Sequence, residues 1–362
     1  MTAQEAAVLL HLLPGIGPAR AHRLLEAFGS TEGIFAAGET TLSRLPGIGS
    51  KLAAEIRRAD PATAQREISR CRELGIDLLF LGEPGYPEAL AEIPDPPLLL
   101  YLRGKRPERW LRGVAVVGSR RTSVYGVETA RRLSFQLAYA GIPVISGLAR
   151  GIDTAAHMGS LAAKGSTWAV LGCGIDRVYP PENRELARRI ADTGCVLSEL
   201  PLGTAPARHT FPQRNRLISG LSSGVLVIEA PITSGALLTA QCAVEQGRQV
   251  FAVPGRVDNP LAAGSNRLIQ QGAKLVAEAS DITSELALWL PAAPVVQERP
   301  LPSTLTQEER SVFAALGLDE SLFDTIVERT GLPSPTVSST LLRLEMKRLV
   351  RRLPGNAFVR VA

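Results

Sequence analysis

Residues 114–163 read VAVVGSRRTSVYGVETARRLSFQLAYAGIPVISGLARGIDTAAHMGSLAA. Val114 to Val117 form an uninterrupted apolar run that stops at Gly118-Ser119-Arg120-Arg121-Thr122. A helical pattern follows from Gly126 to Ala140, then a second short run at Pro143–Ile145 and a second helical pattern from Thr154 to Ala163. Apolar runs of strand length that alternate with helices predict a parallel sheet covered on both faces. The alternation continues outward, with strands expected at Thr167–Leu171, Val196–Leu197, Val225–Ile228 and Gln249–Val253. Helices are expected at Arg184–Ala191 and Ala236–Glu245, which extends the α/β segment from about Leu98 to Leu290.

Ligands of such sheets bind at the carboxyl ends of the strands. Four loops fall there: Gly118–Thr122, Ser146–Asp153, Gly172-Cys173-Gly174 and Glu229–Gly235. Glycine permits close backbone approach, and a helix N-terminus adds N–H donors for an anion. Ser119, Ser146, Thr233 and Ser234 offer hydroxyls, and Arg120 a charge. Any one of these loops reads as a helix cap; four on one rim read better as a phosphate site.

Between Glu199 and Glu229 the chain has no carboxylate, yet it carries Arg208, His209, Phe211, Arg214, Asn215 and Arg216. Guanidinium groups pair bidentately with phosphate, and an aromatic face can hold a base. The window therefore suits a polyanion.

The first strand is not followed by Gly-x-Gly-x-x-Gly, and no Walker lysine motif is present, so NAD and ATP are disfavoured and no cofactor is expected. No nucleophile with a partnering base stands out. His157 reads as a packed or capping histidine, and Asp153 as a cap accepting from N–H groups near Ala156. Arg150 is open between an acid and a phosphate as partner; Glu229 is expected to hold the arginine cluster. The four cysteines (Cys71, Cys173, Cys195, Cys242) lack CxxC spacing, so a zinc site or disulfide framework is not expected. With no apolar run of spanning length, and no basic n-region before the short apolar stretch within MTAQEAAVLLHLLPG, a cytoplasmic protein without membrane contact is expected.

Outside the sheet, Leu13-Pro14-Gly15-Ile16-Gly17 recurs as Leu45-Pro46-Gly47-Ile48-Gly49, each ahead of a helical pattern. This resembles paired helix-hairpin-helix units, which grip DNA phosphate at the turn; packing between short helices explains the repeat equally well. Prolines at Glu83–Pro87 and Ile93–Pro97 read as extended linker or edge structure. A Pro-rich linker covers 291–304. Beyond it come helical patterns at Gln307–Leu316, Leu322–Thr330 and Ser334–Leu349, then a hairpin-like pair around Pro354-Gly355-Asn356. That tail resembles a winged helix, with Ser338, Ser339 and Arg343 facing outward. Of the net charge of +5, all lies in Gly331–Ala362, where six basic residues face one acid. A basic tail on a neutral body suggests an acidic partner. The expected division is a helical helix-hairpin-helix domain (1–75), a Rossmann-like domain (76–290), the linker, and a winged-helix domain (305–362).

The motifs GSRRTSVYG (118–126), SGLARGIDTAAH (146–157), GCGIDRVYPPEN (172–183), FPQRNRLISGLS (211–222), EAPITSGALLTAQCAVEQGRQVFAVPG (229–255) and GSNRLIQQGAKLV (264–276) together resemble the DNA-processing protein A family, also called DprA or Smf. The resemblance covers the central segment in order. It implies an extended Rossmann-like parallel sheet that binds single-stranded DNA, a homodimer, and delivery of RecA onto incoming DNA during natural transformation. By motif position it implies a phosphate-gripping Arg120, a basic Arg208 where relatives often carry lysine, and a base-stacking Phe211. It also implies donors at Gly118, Ser119, Ser146, Gly147, Ser234 and Gly235, with Asn215 and Arg216 lining or bracing the pocket. Leu268, Ile269 and Leu275 fall on the family's dimer surface. A helical amino-terminal module and a winged-helix tail both occur in the family; contact of the tail with duplex DNA is a further expectation.

The reading is a non-enzymatic single-stranded DNA-binding recombination mediator. The rival is a nucleotide phosphoribohydrolase-like enzyme of the lysine-decarboxylase-like family, which needs Pro-Gly-Gly-x-Gly-Thr ahead of a catalytic Glu. The corresponding stretch here is Ala230-Pro231-Ile232-Thr233-Ser234-Gly235.

Overall fold

A computed structural model describes residues 1–286, 305–316, 321–347, 349–353 and 357–360, and the chain divides into two units, Met1–Pro294 and Val295–Ala362. The fold is α/β, with helices at the amino terminus of the first unit and a small three-stranded sheet in the second. The expected linker at 291–304 lies outside the described residues.

The amino-terminal helices are α1 (Ala3–Leu12), α2 (Pro18–Phe28), α3 (Thr31–Ala36), α4 (Glu39–Ser43), α5 (Ser50–Arg57) and α6 (Pro61–Glu73). The repeated motif forms the same turn twice. Gly15 and Gly47 take left-handed φ values of +83° and +82°, while Gly17 and Gly49 cap α2 and α5 with no side-chain bond. Ile16 and Ile48 are the buried anchors of the two turns.

Then follow β1 (Asp77–Phe80), α7 (Glu88–Ala91), β2 (Leu99–Gly104), β3 (Gly113–Val117), α8 (Val124–Tyr139), β4 (Val144–Ser146), α9 (Ile152–Ala162) and β5 (Thr167–Leu171). After a 3-10 turn at Pro181–Asn183 come α10 (Arg184–Thr193), β6 (Cys195–Ser198), α11 (Thr210–Gly220), β7 (Ser222–Val227), α12 (Gly235–Glu245), β8 (Gln249–Ala252), α13 (Ala263–Gln270), β9 (Lys274–Leu275) and α14 (Ala279–Glu285). The sheet order is β1-β2-β6-β5-β4-β3-β7-β8-β9.

Strands β3 to β9 run parallel, as the alternation predicts. The sheet is nevertheless mixed, because β2 pairs antiparallel with β6, and β1 antiparallel with β2. The stretch expected to be Pro-rich connector, Glu83–Pro97, lies between these two strands and holds the single turn α7. Of these two strands β1 is an edge and β2 is buried between neighbours. The prolines sit at the bends around α7, where no ladder N–H is needed. Apolar clusters fill both faces, one against α8, α9 and α14, the other against α11 and α12.

The second unit contains α15 (Gln307–Ala315), β10 (Ser321–Leu322), α16 (Phe323–Thr330), α17 (Ser334–Met346), β11 (Val350–Leu353) and β12 (Ala357–Arg360), with sheet order β10-β12-β11. Val312, Ile326, Val337, Leu341, Leu344 and Phe358 form its core. Ser338, Ser339 and Arg343 are exposed on α17, as expected. The expected Pro354-Gly355-Asn356 turn lies outside the described residues.

Candidate nucleic-acid interface

Because β3, β4, β5 and β7 are parallel, the loops that follow them share one rim. Strands β4, β5 and β6 lie to one side of β3, and β7, β8 and β9 to the other. Chain leaving β3 and chain leaving β7 therefore diverge, opening a crevice where α/β sheets bind ligands. A cleft of about 760 Å³ occupies it, lined by Gly118, Ser119, Arg120, Arg208, Phe211, Asn215, Ser234 and Gly235 together with Arg121, Asp153, Tyr179 and Arg214.

Phe211 stands in the first turn of α11, directly ahead of Pro212. The sequence pattern does not mark this helix, because Pro212 reads as a breaker; in the first turn its missing N–H has no partner to lose. The phenyl ring crosses the end of β5 at Gly172, where an added Cβ would lie 2.8 Å from the ring. The Arg120 guanidinium carbon is 4.8 Å from the Phe211 centroid, so a charge from the loop after β3 and an aromatic surface from α11 meet at the mouth of the cleft. Arg120 and Arg208 are both exposed. Among the described residues, neither has a carboxylate in salt-bridge contact.

The other two arginines of the acid-free window behave differently. Their separation of two residues places them about 200° apart on a helix, on opposite faces. Arg214 turns under the cleft, and its Nη1 donates to Gly147 O at 2.6 Å and to Val170 O. Gly147 makes room for it: a Cβ there would sit 2.2 Å from that nitrogen. Desolvation lowers the Arg214 pKa to about 10, against the pull of Asp153. Arg216 points away, into an ion pair with Glu199 whose side chains are 10% and 12% exposed, and reaches Asp95 at 3.2 Å. It belongs to a second cleft against the α2 turn, shared with Glu199 and Asp95. Of the expectation that Arg216 lines or braces the pocket, the lining is corrected: acid absent from the sequence window is supplied by the fold. Asn215 does line the cleft, and its Nδ2 donates to Gly235 O at 3.2 Å.

Several expected donors are already engaged. Ser146 is fully buried and donates to Val116 O at 2.7 Å, inside the sheet. The Gly147 N–H donates to Asp153 Oδ2 at 3.2 Å, and Ala149 N–H to the same oxygen at 3.3 Å. Asp153 thus braces the loop ahead of its own helix rather than capping near Ala156. The Ser119 N–H donates to Glu229 O at 2.6 Å, and the Ser119 hydroxyl donates to Arg121 O at 2.6 Å. Ser234 caps α12 by accepting from Ala236 N–H at 3.2 Å, and Gly235 faces open space. Among the described residues, Glu229 holds no arginine. It accepts from the hydroxyls of Thr122 and Ser123 at 2.7 Å each and from Ser123 N–H at 2.9 Å, anchoring the loop that carries Arg120. Arg150 takes the acid partner: it pairs with exposed Glu182. Tyr179, which the motif reading passed over, lines the cleft with its ring centroid 5.7 Å from that of Phe211.

His157 is fully buried beside Arg214. Thr167 donates its hydroxyl to Val144 O at 2.7 Å, so the 2.8 Å contact with His157 needs Nδ1–H as donor. Nε2 is then the unprotonated nitrogen, and it has no partner among the described residues. Desolvation, helped by the Arg214 charge, lowers the His157 pKa from 6.5 to about 3. Its folded pKa is depressed, so the unfolded chain gains the proton first. The stability it contributes is complete above pH 6.5 and falls as pH drops toward 3. His157→Asn is expected to flatten the stability–pH slope by about 1.4 kcal/mol per pH unit between about pH 6 and 4. Urea unfolding across that range measures it; an unchanged slope would acquit His157.

At the far edge of the sheet, Leu268 and Ile269 are half-buried on α13, and Leu275 is exposed on the edge strand β9. Leu268 packs on the core; Leu268, Ile232 and Val244 line an apolar hollow there. No helix among the described residues is long and apolar enough to cross a membrane, and no group of three or more His, Cys, Asp or Glu is placed to hold a metal ion.

Comparison with known proteins matches residues 77–287 to DNA recombination-mediator protein A, residues 296–356 to the DprA winged helix domain, and residues 8–59 to a SAM-like helix-hairpin-helix tandem. Protein Smf of Synechocystis is 34% identical over 96% of both chains. The DNA processing protein DprA of Bacillus subtilis is 42% identical over 61% of this chain and 75% of its own. The crystal structure of DprA from Streptococcus pneumoniae superposes with a TM-score of 0.69 at 34% identity, covering 79% of this chain and 98% of that one. A Helicobacter pylori DprA structure, described as showing a unique single-stranded DNA binding mode, gives 0.54 at 29% identity over 60% and 97%.

Proposed function

This chain belongs to the DNA recombination-mediator protein A family, and on that footing we propose that its crevice binds single-stranded DNA and that the protein acts without catalysis, as a recombination mediator. The observation that carries the proposal is the Arg120 guanidinium resting on Phe211 at the crevice mouth, 4.8 Å from the ring centre. A phosphate bound by Arg120 and Arg208 leaves its base beside the Phe211 face. Stacking on such a face contributes about 1–3 kcal/mol per base and accepts any sequence.

The finer reading is a cytoplasmic homodimer that protects incoming strands and helps load RecA during natural transformation. Among the described residues β9 is the last strand of its sheet, and this edge beside Leu275 together with the hollow at Leu268 supports dimerisation there, since a strand edge with apolar neighbours favours pairing. Two linked pockets would gain avidity on a long strand. For residues 305–362 the proposal is a supplementary duplex contact through Ser338, Ser339 and Arg343. The functional division proposed is 1–75, 76–290, linker 291–304 and 305–362.

The test is a titration of oligo-dT against a duplex of equal length across a salt series. Tight, salt-sensitive preference for the single strand is expected. Duplex preference, or release of adenine from AMP, would overturn the proposal. Sedimentation of the full chain and of Leu275→Arg tests the dimer, and RecA assembly on coated DNA tests loading.

A further inference from the structure

Tyr179 and Arg150 continue the row that Arg120 and Phe211 begin. The Tyr179 and Phe211 centroids lie 5.7 Å apart with planes tilted by 43°, and the Arg150 guanidinium carbon lies 6.0 Å from the Tyr179 centroid. In order the row is cation, ring, ring, cation, assembled from three loops and the first turn of α11 on one rim. Tyr179 packs one side on the apolar core while lining the cleft. A small recess is lined by all four of these residues.

Arg150 differs from Arg216 in how it is held. Arg216 and Glu199 are nearly enclosed, at 10% and 12% exposure, and separating them strands two charges away from water. Arg150 and Glu182 are 52% and 53% exposed, so water screens each when the pair opens. A phosphate can therefore replace Glu182 on Arg150 with little loss, while Arg216 keeps its acid.

We propose that Tyr179 seats a second base next to the one on Phe211, and that Arg150 exchanges Glu182 for the phosphate beyond it. This rests on the single-stranded DNA reading of the same cleft. The bound strand then runs along the whole row, and the site takes two adjacent bases instead of one.

The experiment compares a thymine oligonucleotide with an abasic strand of the same length on the full-length protein. The ratio of the two affinities reports base stacking, whereas the salt slope reports phosphate contacts. Tyr179→Ala is expected to lower the ratio about tenfold with the salt slope unchanged, and Tyr179→Trp to restore it. Glu182→Gln is expected to tighten binding to both strands a few-fold by freeing Arg150. A wild-type ratio in Tyr179→Ala, or no gain in Glu182→Gln, overturns the corresponding half of the proposal. Should Tyr179→Ala not fold, photocrosslinking wild-type protein to an iodouracil strand decides: label at Tyr179 supports it, and label at Phe211 alone overturns it. A wild-type protein that binds neither strand would instead defeat the single-stranded DNA reading itself.

Discussion

A chain carrying Arg120→Ala and Arg208→Ala together is expected to bind oligo-dT about a hundredfold more weakly at low salt, with the slope of log affinity against log salt reduced by about 1.4. Both guanidiniums are exposed at the cleft. Neither has an acid in contact among the described residues, so each is available to a phosphate. A hydrogen bond to a charged group contributes roughly 1.5 kcal/mol or more, and two lost bonds account for the hundredfold. Each single-strand phosphate contact releases about 0.7 of a counterion, and two contacts give the slope change. Since both side chains are exposed, the fold should be untouched, which circular dichroism and unfolding midpoint would verify. Arg120→Ala also strips the cation from Phe211, so its single effect should exceed that of Arg208→Ala. A folded double variant that binds normally would remove both residues from the site.

Arg214→Met is expected to act in the opposite manner, costing about 3–5 kcal/mol of folding stability. Arg214 is 6% exposed and gives its donors to two carbonyls in the sheet rim, Gly147 O and Val170 O. Its charge also faces Asp153, whose carboxyl is raised above its ordinary value by desolvation and drawn down again chiefly by Arg214. Removing the guanidinium leaves two carbonyls unpaired and a buried carboxyl without its counter-charge. Asp153 then takes up a proton in the folded state more readily than in the unfolded chain. The deficit should therefore shrink as pH falls toward the ordinary value of 3.8. Chemical unfolding at pH 7 and pH 5 measures both effects. A loss under about 1 kcal/mol would mean that the loops hold themselves without Arg214.

Arg208 and Arg214 lie six residues apart in the same acid-free window, and their expected roles diverge because of α11. The sequence exposes the window's composition. It does not expose the helix, since Pro212 and the Arg-Asn-Arg run resemble a loop until the first-turn placement of the proline is known. With the helix in place, Phe211, Arg214 and Asn215 stand three and four residues apart on one face, while Arg216 turns toward Glu199. Strands β1 and β2 were hidden for a related reason: flanking prolines suggested a connector, and only pairing with β6 shows why Leu99 to Leu102 are apolar throughout.

By itself the sequence determined the alternation of parallel strands and helices, the placement of four loops on one rim, the repeated Gly-x-Gly turns and the three-helix tail. Those features depend on local periodicity and on glycine and proline, which act over a few residues. The tertiary structure alone decided which polar groups remain available. Ser146 and Arg216 carry the right chemistry for an anion, yet each is consumed, by Val116 O and by Glu199, groups brought in from 30 and 17 residues away in the chain. Tyr179 gained its place in the same way, through a ring contact with Phe211 across 32 residues of chain. Burial and partner choice are set by long-range packing, and no window of sequence contains both partners.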